Sequence, residues 1–185
     1  MEWSDLNSQT SADDVDEQES LLTALAAERL ALGDKVAAAK YGSTTPINDE
    51  AREERLLADV VARSREIGLD PLLSRRFFRA QIEANKVLQR RLYAVWSDHP
   101  ELRPRCRPNL ESEVRPQLDV ITRQMLLRLK ALESARKAAH RVDGTLHESL
   151  RGLHEEALRI AFRRIRGRAD TNTTSDSSDQ NCHEW

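Results

Sequence analysis

The chain has 185 residues, the length of one ordinary domain with a sizeable core. Hydrophobic residues make up 39% of it, Gly and Pro number only 6 each, and Ala, Leu, Arg and Glu are abundant, so the composition predicts an all-α fold. The 29 basic and 31 acidic residues give a net charge of −2, which excludes a general attraction to nucleic acid or anionic membranes. Any cationic site must therefore be local.

Signals for membranes and export are weak in this sequence. No stretch approaches the 18 uninterrupted apolar residues typical of a transmembrane helix. The first twenty residues are polar and acidic and lack the apolar core of a secretory signal. We therefore expect a cytoplasmic protein, or a periplasmic or secreted one if a precursor segment is missing. Cys106 and Cys182 could form a disulfide, but the sequence does not require the pair.

The chain begins with a predicted disordered acidic tail, residues 1–16, which is rich in Ser, Asp and Gln. A long first helix is predicted from about Asp16 to Tyr41, where a Gly-Ser-Thr-Thr-Pro sequence ends it. The second helix has Asn48 or Asp49 as its N-cap and runs to Gly68.

The third helix is predicted from its own cap, because Asp70 precedes Pro71 at the first helical position. It continues to about Trp96. Residues 98–109 contain three prolines and cannot be helical throughout, so they are predicted to form an ordered connection between two halves of the chain.

Two more helices are predicted in the second half. The fourth begins near Glu111, tolerates Pro116 in its first turn, and carries a regular apolar stripe. The fifth follows Gly144 and ends at Arg168, and residues 169–185 form a second disordered tail. We expect residues 17–168 to form a single all-α domain, a multi-helix bundle.

The first helix carries two cations on its apolar face. Arg29 stands where a leucine would be expected in the stripe of Leu22, Leu25, Leu32 and Val36, and Lys40 follows eleven residues later on the same face. A buried charge costs several kcal/mol unless it is paired. Either acidic side chains or an anionic ligand must therefore meet these two groups.

Polar side chains also point inward on the other helices. Asp49, Arg52 and Glu53 share a face at the start of the second helix. Asn85 interrupts the stripe of the third helix, with Gln89 one turn beyond, and Arg115 extends the stripe of the fourth. Taken singly, these residues have ordinary interpretations: a snorkelling arginine, a helix cap, amides bonded to the backbone. Together they give four cations and two acids, which suits a small dianion.

The combination resembles the all-helical chorismate mutase family. The similar segments are AERLALGDKVAAAK at residues 27–40, PINDEARE at 46–53, FFRAQIEANKVLQ at 77–89 and RPQLDVI at 115–121. Asn85 stands where the family more often has Ser or Thr. The resemblance covers roughly residues 20–165, and the position of Arg115 in the second half of the same chain, with the Pro-rich connection, is similar to the usually exported gamma subclass.

The resemblance implies rearrangement of chorismate to prephenate in the shikimate pathway toward Phe and Tyr, without a cofactor or metal. It implies that Arg29 and Arg115 clamp the two carboxylates with help from Asn85, and that Lys40 and Gln89 donate to the ether oxygen. Asp49 and Glu53 would hold the ring hydroxyl, supported by Arg52. The site would lie within one chain, and the family resemblance implies a homodimer.

Alternatives on the same scaffold are an isochorismate pyruvate lyase and a 4-amino-4-deoxychorismate mutase, because those substrates share the dianionic enolpyruvyl ether. A non-catalytic helical interaction module is the alternative from another class. His140, His147 and His154 recur at seven-residue steps, too far apart along a helix for a metal pair, and are predicted to lie on a solvated face.

Overall fold

The computed structural model describes residues 3–138, 150–160 and 162–163. Helices dominate this part of the chain, and it contains no strand, which confirms the all-α prediction. None of the described helices is long and apolar enough to cross a membrane. The predicted fifth helix is described only at 150–160 and 162–163, which are helical, and the tail 169–185 lies outside the described residues.

The amino-terminal helix is longer than predicted and is interrupted once. Helix α1 spans Trp3–Ala31 and α2 spans Gly33–Lys40, with Leu32 as a turn between them. Residues 3–16, which the sequence assigned to a disordered tail, continue α1. Val15 in this stretch is buried in the same core as Leu150, Leu153 and Ala157, and such packing between distant parts of the chain stabilises a helix that local sequence does not predict.

The interruption at Leu32 coincides with a close approach of another helix. A Cβ atom on Gly33 would lie 2.5 Å from Leu88 Cδ2 and 2.6 Å from Asn85 Nδ2, so only glycine fits at this position without a shift of its neighbours. The sequence predicted one continuous helix because the segment is rich in alanine.

Helices α3 (Glu50–Glu66) and α4 (Pro71–Asp98) begin where their caps predicted. The Asp49 carboxylate accepts a hydrogen bond from Arg52 N at 3.0 Å, and the Asp70 carboxylate accepts from Leu72 N at 2.8 Å. Gly68 has φ +66°, the left-handed conformation that allows the chain to leave α3.

The connection to the last long helix is ordered, as predicted. It contains a 3₁₀ turn at Pro100–Leu102 and a π-turn at Leu110–Val114, which Asn109 caps through bonds from Glu111 N and Ser112 N. Helix α5 then spans Arg115–Ala138.

The core lies between α1 and α5, which run antiparallel, and it is closed by α3 and α4, which pack on each other. The predicted stripe of α5 is buried at Ile121, Met125, Leu129 and Leu132. A smaller cluster lies between α2 and α4 and includes Leu88, Leu92 and Trp96. The carboxy-terminal ends of α1 and α2 therefore meet the middle of α4 and the start of α5.

Candidate active site

Arg29 is buried in the last turn of α1, with 5% of its surface exposed. The guanidinium lies 5.9 Å from the Phe78 ring centre, and its Nε has no hydrogen-bond partner in the described part of the chain. Burial lowers the pKa of Arg29 to about 10, against an opposing effect of the Asp119 carboxylate. The charge is thus held in the protein at a cost, without a bonded counter-ion.

Lys40 ends α2 and is half-buried, and its Nζ donates to the backbone oxygen of Pro46 at 2.9 Å. Burial lowers its pKa, Asp49 and Glu53 act in the opposite direction, and Arg115 and Arg52 add to the lowering. Two predicted acids and two predicted cations thus lie within electrostatic reach of this ammonium group.

Asn85 and Gln89 lie one turn apart on α4, and their side chains bond to each other. Gln89 Nε2 donates to Asn85 Oδ1 at 2.6 Å, while Gln89, only 4% exposed, has an oxygen without a partner in the described residues. Asn85 also faces Gly33 at the start of α2. The two amides therefore lie beside the segment that joins Arg29 to Lys40.

Arg115 opens α5 and forms an ion pair with Glu111 of the preceding π-turn. Burial lowers its pKa, as do Arg52 and Arg55, whereas Asp49 and Asp119 raise it. Arg115 and Arg52 face a common cavity of about 330 Å³ between α3 and α5. The walls of that cavity do not include Arg29, Lys40, Asn85 or Gln89.

Glu53 is buried, as the sequence predicted, but its carboxylate points toward α4. Lys86 Nζ lies 2.8 Å from each of the two oxygens, and Arg79 lies 3.5 Å away. Glu53 lines a second groove, separate from the one at Arg115, together with Asn48, Arg79 and Lys86. Glu53 therefore acts electrostatically on Lys40 but forms its ion pair with Lys86, a residue that the sequence pattern did not identify.

Asp119 is a second residue that the sequence analysis missed. It lines the cavity between α3 and α5 and acts on both Arg29 and Arg115. The available signal was its position four residues after Arg115, on the same face of α5. It is the acidic group that links the two predicted carboxylate clamps.

The prediction of a solvated histidine face was wrong for His154. The ring is 7% exposed, packs 4.6 Å from the Phe77 ring centre, and bonds through Nδ1 to the Leu150 oxygen. His140 and His147 lie outside the described residues. His154 lies against α4 because residues 150–160 pack into the same core as Phe77.

The electrostatic balance of the site is positive. Four cations, Arg29, Lys40, Arg52 and Arg115, face Asp49, Glu53 and Asp119, while Glu111 pairs with Arg115 and Lys86 with Glu53. The described residues contain no group of three His, Cys, Asp or Glu side chains that could hold a metal ion. Such an arrangement can bind a small dianion through guanidinium groups and stabilise negative charge on an oxygen through an ammonium group and amides.

Comparison with known proteins gives a consistent result. The family model of chorismate mutase type II matches residues 10–90. A secreted chorismate mutase of Mycobacterium tuberculosis is 31% identical over 136 residues, which are 72% of this chain and 68% of that protein. A secreted chorismate mutase of Mycolicibacterium smegmatis is 35% identical over 101 residues, so that match spans 55% of either protein, about half the length of that relative.

Solved structures agree with the sequence matches. The crystal structure of chorismate mutase from Burkholderia thailandensis superposes with a TM-score of 0.63 at 34% identity, covering 79% of this chain and 97% of that one. The enzyme from Burkholderia phymatum superposes with a TM-score of 0.59 at 25% identity, covering 80% and 97%.

Proposed function

Because this chain belongs to the all-helical chorismate mutase family, and is thereby an isomerase, we propose that it rearranges chorismate to prephenate at the cluster of Arg29, Lys40, Gln89 and Arg115. The observation that carries the proposal is the burial of Arg29 with no carboxylate bonded to it among the described residues. Because burial of a charge is costly, a ligand carboxylate that pairs with Arg29 would offset that cost. A carboxylate of the substrate is the matching ligand.

The proposed reaction is unimolecular. The ether C–O bond breaks while a C–C bond forms, so no covalent intermediate, proton transfer or cofactor is needed. Arg29 and Arg115 hold the two carboxylates, and Asn85 assists, so that the flexible substrate is kept in its compact, chair-like conformer. This contribution reduces the entropic part of the barrier.

Charge stabilisation supplies the second contribution. As the ether bond stretches, negative charge develops on its oxygen. We assign its donors to Lys40, whose ammonium has hydrogens besides the one given to Pro46, and to the second Nε2 hydrogen of Gln89. Donors fixed before the reaction starts are worth more than water, which must reorient. The half-buried ammonium of Lys40 and the buried amide of Gln89 meet this requirement.

Asp49 and Glu53 hold the ring hydroxyl in this proposal, and Arg52 supports the site. Supporting contacts are the bond from Arg52 N to the Asp49 carboxylate and the electrostatic effect of both acids on Lys40. The isochorismate and amino-substrate alternatives gain no support, since the relatives and solved structures described above are all chorismate mutases.

For location and assembly we propose an exported homodimer. The relatives above are named secreted chorismate mutases, which favours an exported protein over the cytoplasmic one that the sequence suggested. Cys106 is disulfide-bonded, which suits an oxidising compartment, while Cys182 lies outside the described residues. Val87 and Val95 leave apolar surface exposed on α4 that a second copy can cover.

The experiment that tests the proposed reaction is a direct assay. Purified protein is mixed with chorismate, the ultraviolet absorbance of chorismate is followed, and the product is converted by acid to phenylpyruvate. We expect stoichiometric phenylpyruvate. Loss of chorismate with release of pyruvate would instead indicate a lyase, and no turnover of chorismate by folded protein would contradict the proposal.

A further inference from the structure

Lys86 forms a mostly buried ion pair with Glu53 and has no role of its own in the proposed reaction. The Lys86 ammonium lies 2.8 Å from both oxygens of Glu53, and the side chains are only 11% and 10% exposed. The pair joins α3 to α4, and Lys86 directly follows Asn85 in sequence. The Glu53 carboxylate that Lys86 holds also acts on the Lys40 ammonium, so the pair adjoins the proposed site electrostatically.

Glu53 is surrounded by more positive than negative charge. Arg79 lies 3.5 Å from its carboxylate, while the neighbouring acids Glu54 and Glu83 bond to Arg79, Arg75 and Lys86 on the exposed side. Burial opposes the charge on Lys86, but its bonds to Glu53 and Glu83 raise its pKa overall, so the ammonium stays protonated at neutral pH. Glu53 thus remains a hydrogen-bond acceptor without a free negative charge.

From this geometry we infer that Lys86 is a specificity-determining residue, which makes the substrate-facing Glu53 accept a neutral hydroxyl and reject an ammonium group. The inference rests on the proposed function, in which Glu53 meets the ring substituent. A lone carboxylate attracts an ammonium more strongly than a hydroxyl. A carboxylate already bonded to Lys86 accepts a hydrogen bond from either group, but Lys86 repels the second cation.

The discriminating ring substituent is the one that differs between chorismate and 4-amino-4-deoxychorismate. The amine of the latter is protonated near neutral pH, whereas the hydroxyl of chorismate is neutral. Replacing Lys86 by an uncharged side chain exposes the charge of Glu53 to the substrate. The preference between the two substrates should therefore change even though both carry the same two carboxylates.

The test compares kcat/KM for both substrates in the wild-type protein, Lys86→Met, Lys86→Gln and Lys86→Arg. We expect the wild type to prefer chorismate, and the ratio of kcat/KM values to shift toward the amino substrate by at least about tenfold in the two uncharged variants. Lys86→Arg should restore the ratio. A ratio unchanged in the uncharged variants, or one not restored by arginine, would overturn the inference.

A matched control is Lys130→Met, because Lys130 pairs with the buried Glu133 at 3.2 Å on α5, away from Glu53. It should leave the ratio unchanged while removing a comparable lysine. A general packing defect lowers kcat/KM for both substrates, so the ratio of the two values separates specificity from a structural defect. The Lys86→Gln variant provides the measurement if Lys86→Met does not fold. A wild type inactive on both substrates would contradict the proposed function, whereas an active wild type with an unchanged ratio would contradict only the role of Lys86.

Discussion

Two buried arginines lie at opposite ends of the antiparallel pair of α1 and α5, and they differ in what they contact. At the outer end, Arg136 of α5 forms an ion pair with Glu19 of α1. At the inner end, Arg29 of α1 has no bonded carboxylate among the described residues. The same residue type therefore joins two helices at one end and is left available for a ligand at the other.

The comparison shows how a structural charge is distinguished from a functional one. A buried arginine without a carboxylate lowers the stability of the fold, whereas loss of one partner from a buried ion pair leaves the other charge uncompensated. Burial by itself does not separate the two, since both side chains are almost fully covered. The bonded carboxylate, rather than burial, distinguishes Arg136 from Arg29.

The largest effect is expected at the inner end, in the donors beside Arg29. Lys40→Ala and Gln89→Ala should each reduce the turnover of chorismate by about a hundredfold or more, because each removes a donor to the ether oxygen worth about 3 to 4 kcal/mol. Circular dichroism should show an unchanged helix content. Retained turnover in a folded Lys40→Ala protein would contradict the site assignment.

A pair of matched variants tests the two arginines directly. Arg29→Met should lose about a hundredfold or more in kcat/KM and remain at least as stable as the wild type, because the variant no longer buries an unpaired charge. Arg136→Met should keep its activity and lose about 1 to 3 kcal/mol of stability, because Glu19 loses its partner. Urea unfolding combined with steady-state kinetics measures both. Equal stability losses in the two variants would remove the distinction.

The pH dependence of the rate follows from the kind of donor at the inner end. Gln89 does not titrate, so we expect no loss of rate between about pH 5 and pH 8. Lys40 must stay protonated to donate, and its lowered pKa places the alkaline loss of rate below the ordinary lysine value of 10.5. A Gln89→Glu variant should instead lose rate as the pH rises and the new carboxyl group ionises. A steep fall above about pH 6 in the wild type would contradict this assignment.

The smallest effect is expected at His154, which packs beside the inner end. Burial lowers its pKa below 6.5, with Arg29 acting in the same direction and the Leu150 and Phe77 backbones opposing it. The unfolded chain then binds a proton that the folded chain does not, so stability falls as the pH drops below 6.5, by at most about 1.4 kcal/mol per pH unit. Urea unfolding from pH 7 to pH 5.5 should show this slope in the wild type and lose it in His154→Gln.

Local signals predicted the fold well, and longer-range contacts limited the prediction. Short-range hydrogen bonds and backbone geometry fix the helix ends, and the sequence shows them directly. Asp49 begins α3, Gly68 ends it, and Asp70 with Pro71 begins α4. The extension of α1 to Trp3 was not predicted. Within this extension Val15 is buried in the same core as Leu150 and Leu153, which lie more than one hundred residues away in sequence.

The same limit applies to the site. Spacing along one helix predicted that Arg29 and Lys40 are partly or fully buried, and that Gln89 faces inward. Spacing could not predict the ion pair of Lys86 with Glu53 or the electrostatic effect of Asp119 on two arginines. It also could not predict the burial of His154. Each of these depends on which side of one helix packs against another, and polar residues at the edge of a stripe are compatible with either orientation.

Gly33 has a consequence for redesign of this enzyme. It carries no functional group, yet it lies four residues after Arg29 and seven before Lys40, and the absence of its side chain admits Asn85 and Leu88. The distance between the two cations is therefore set by backbone shape as well as by the count of eleven residues. A combinatorial library that varies only charged and amide positions would keep this helix geometry. A library that randomises Gly33 would change the backbone that positions Arg29 relative to Lys40.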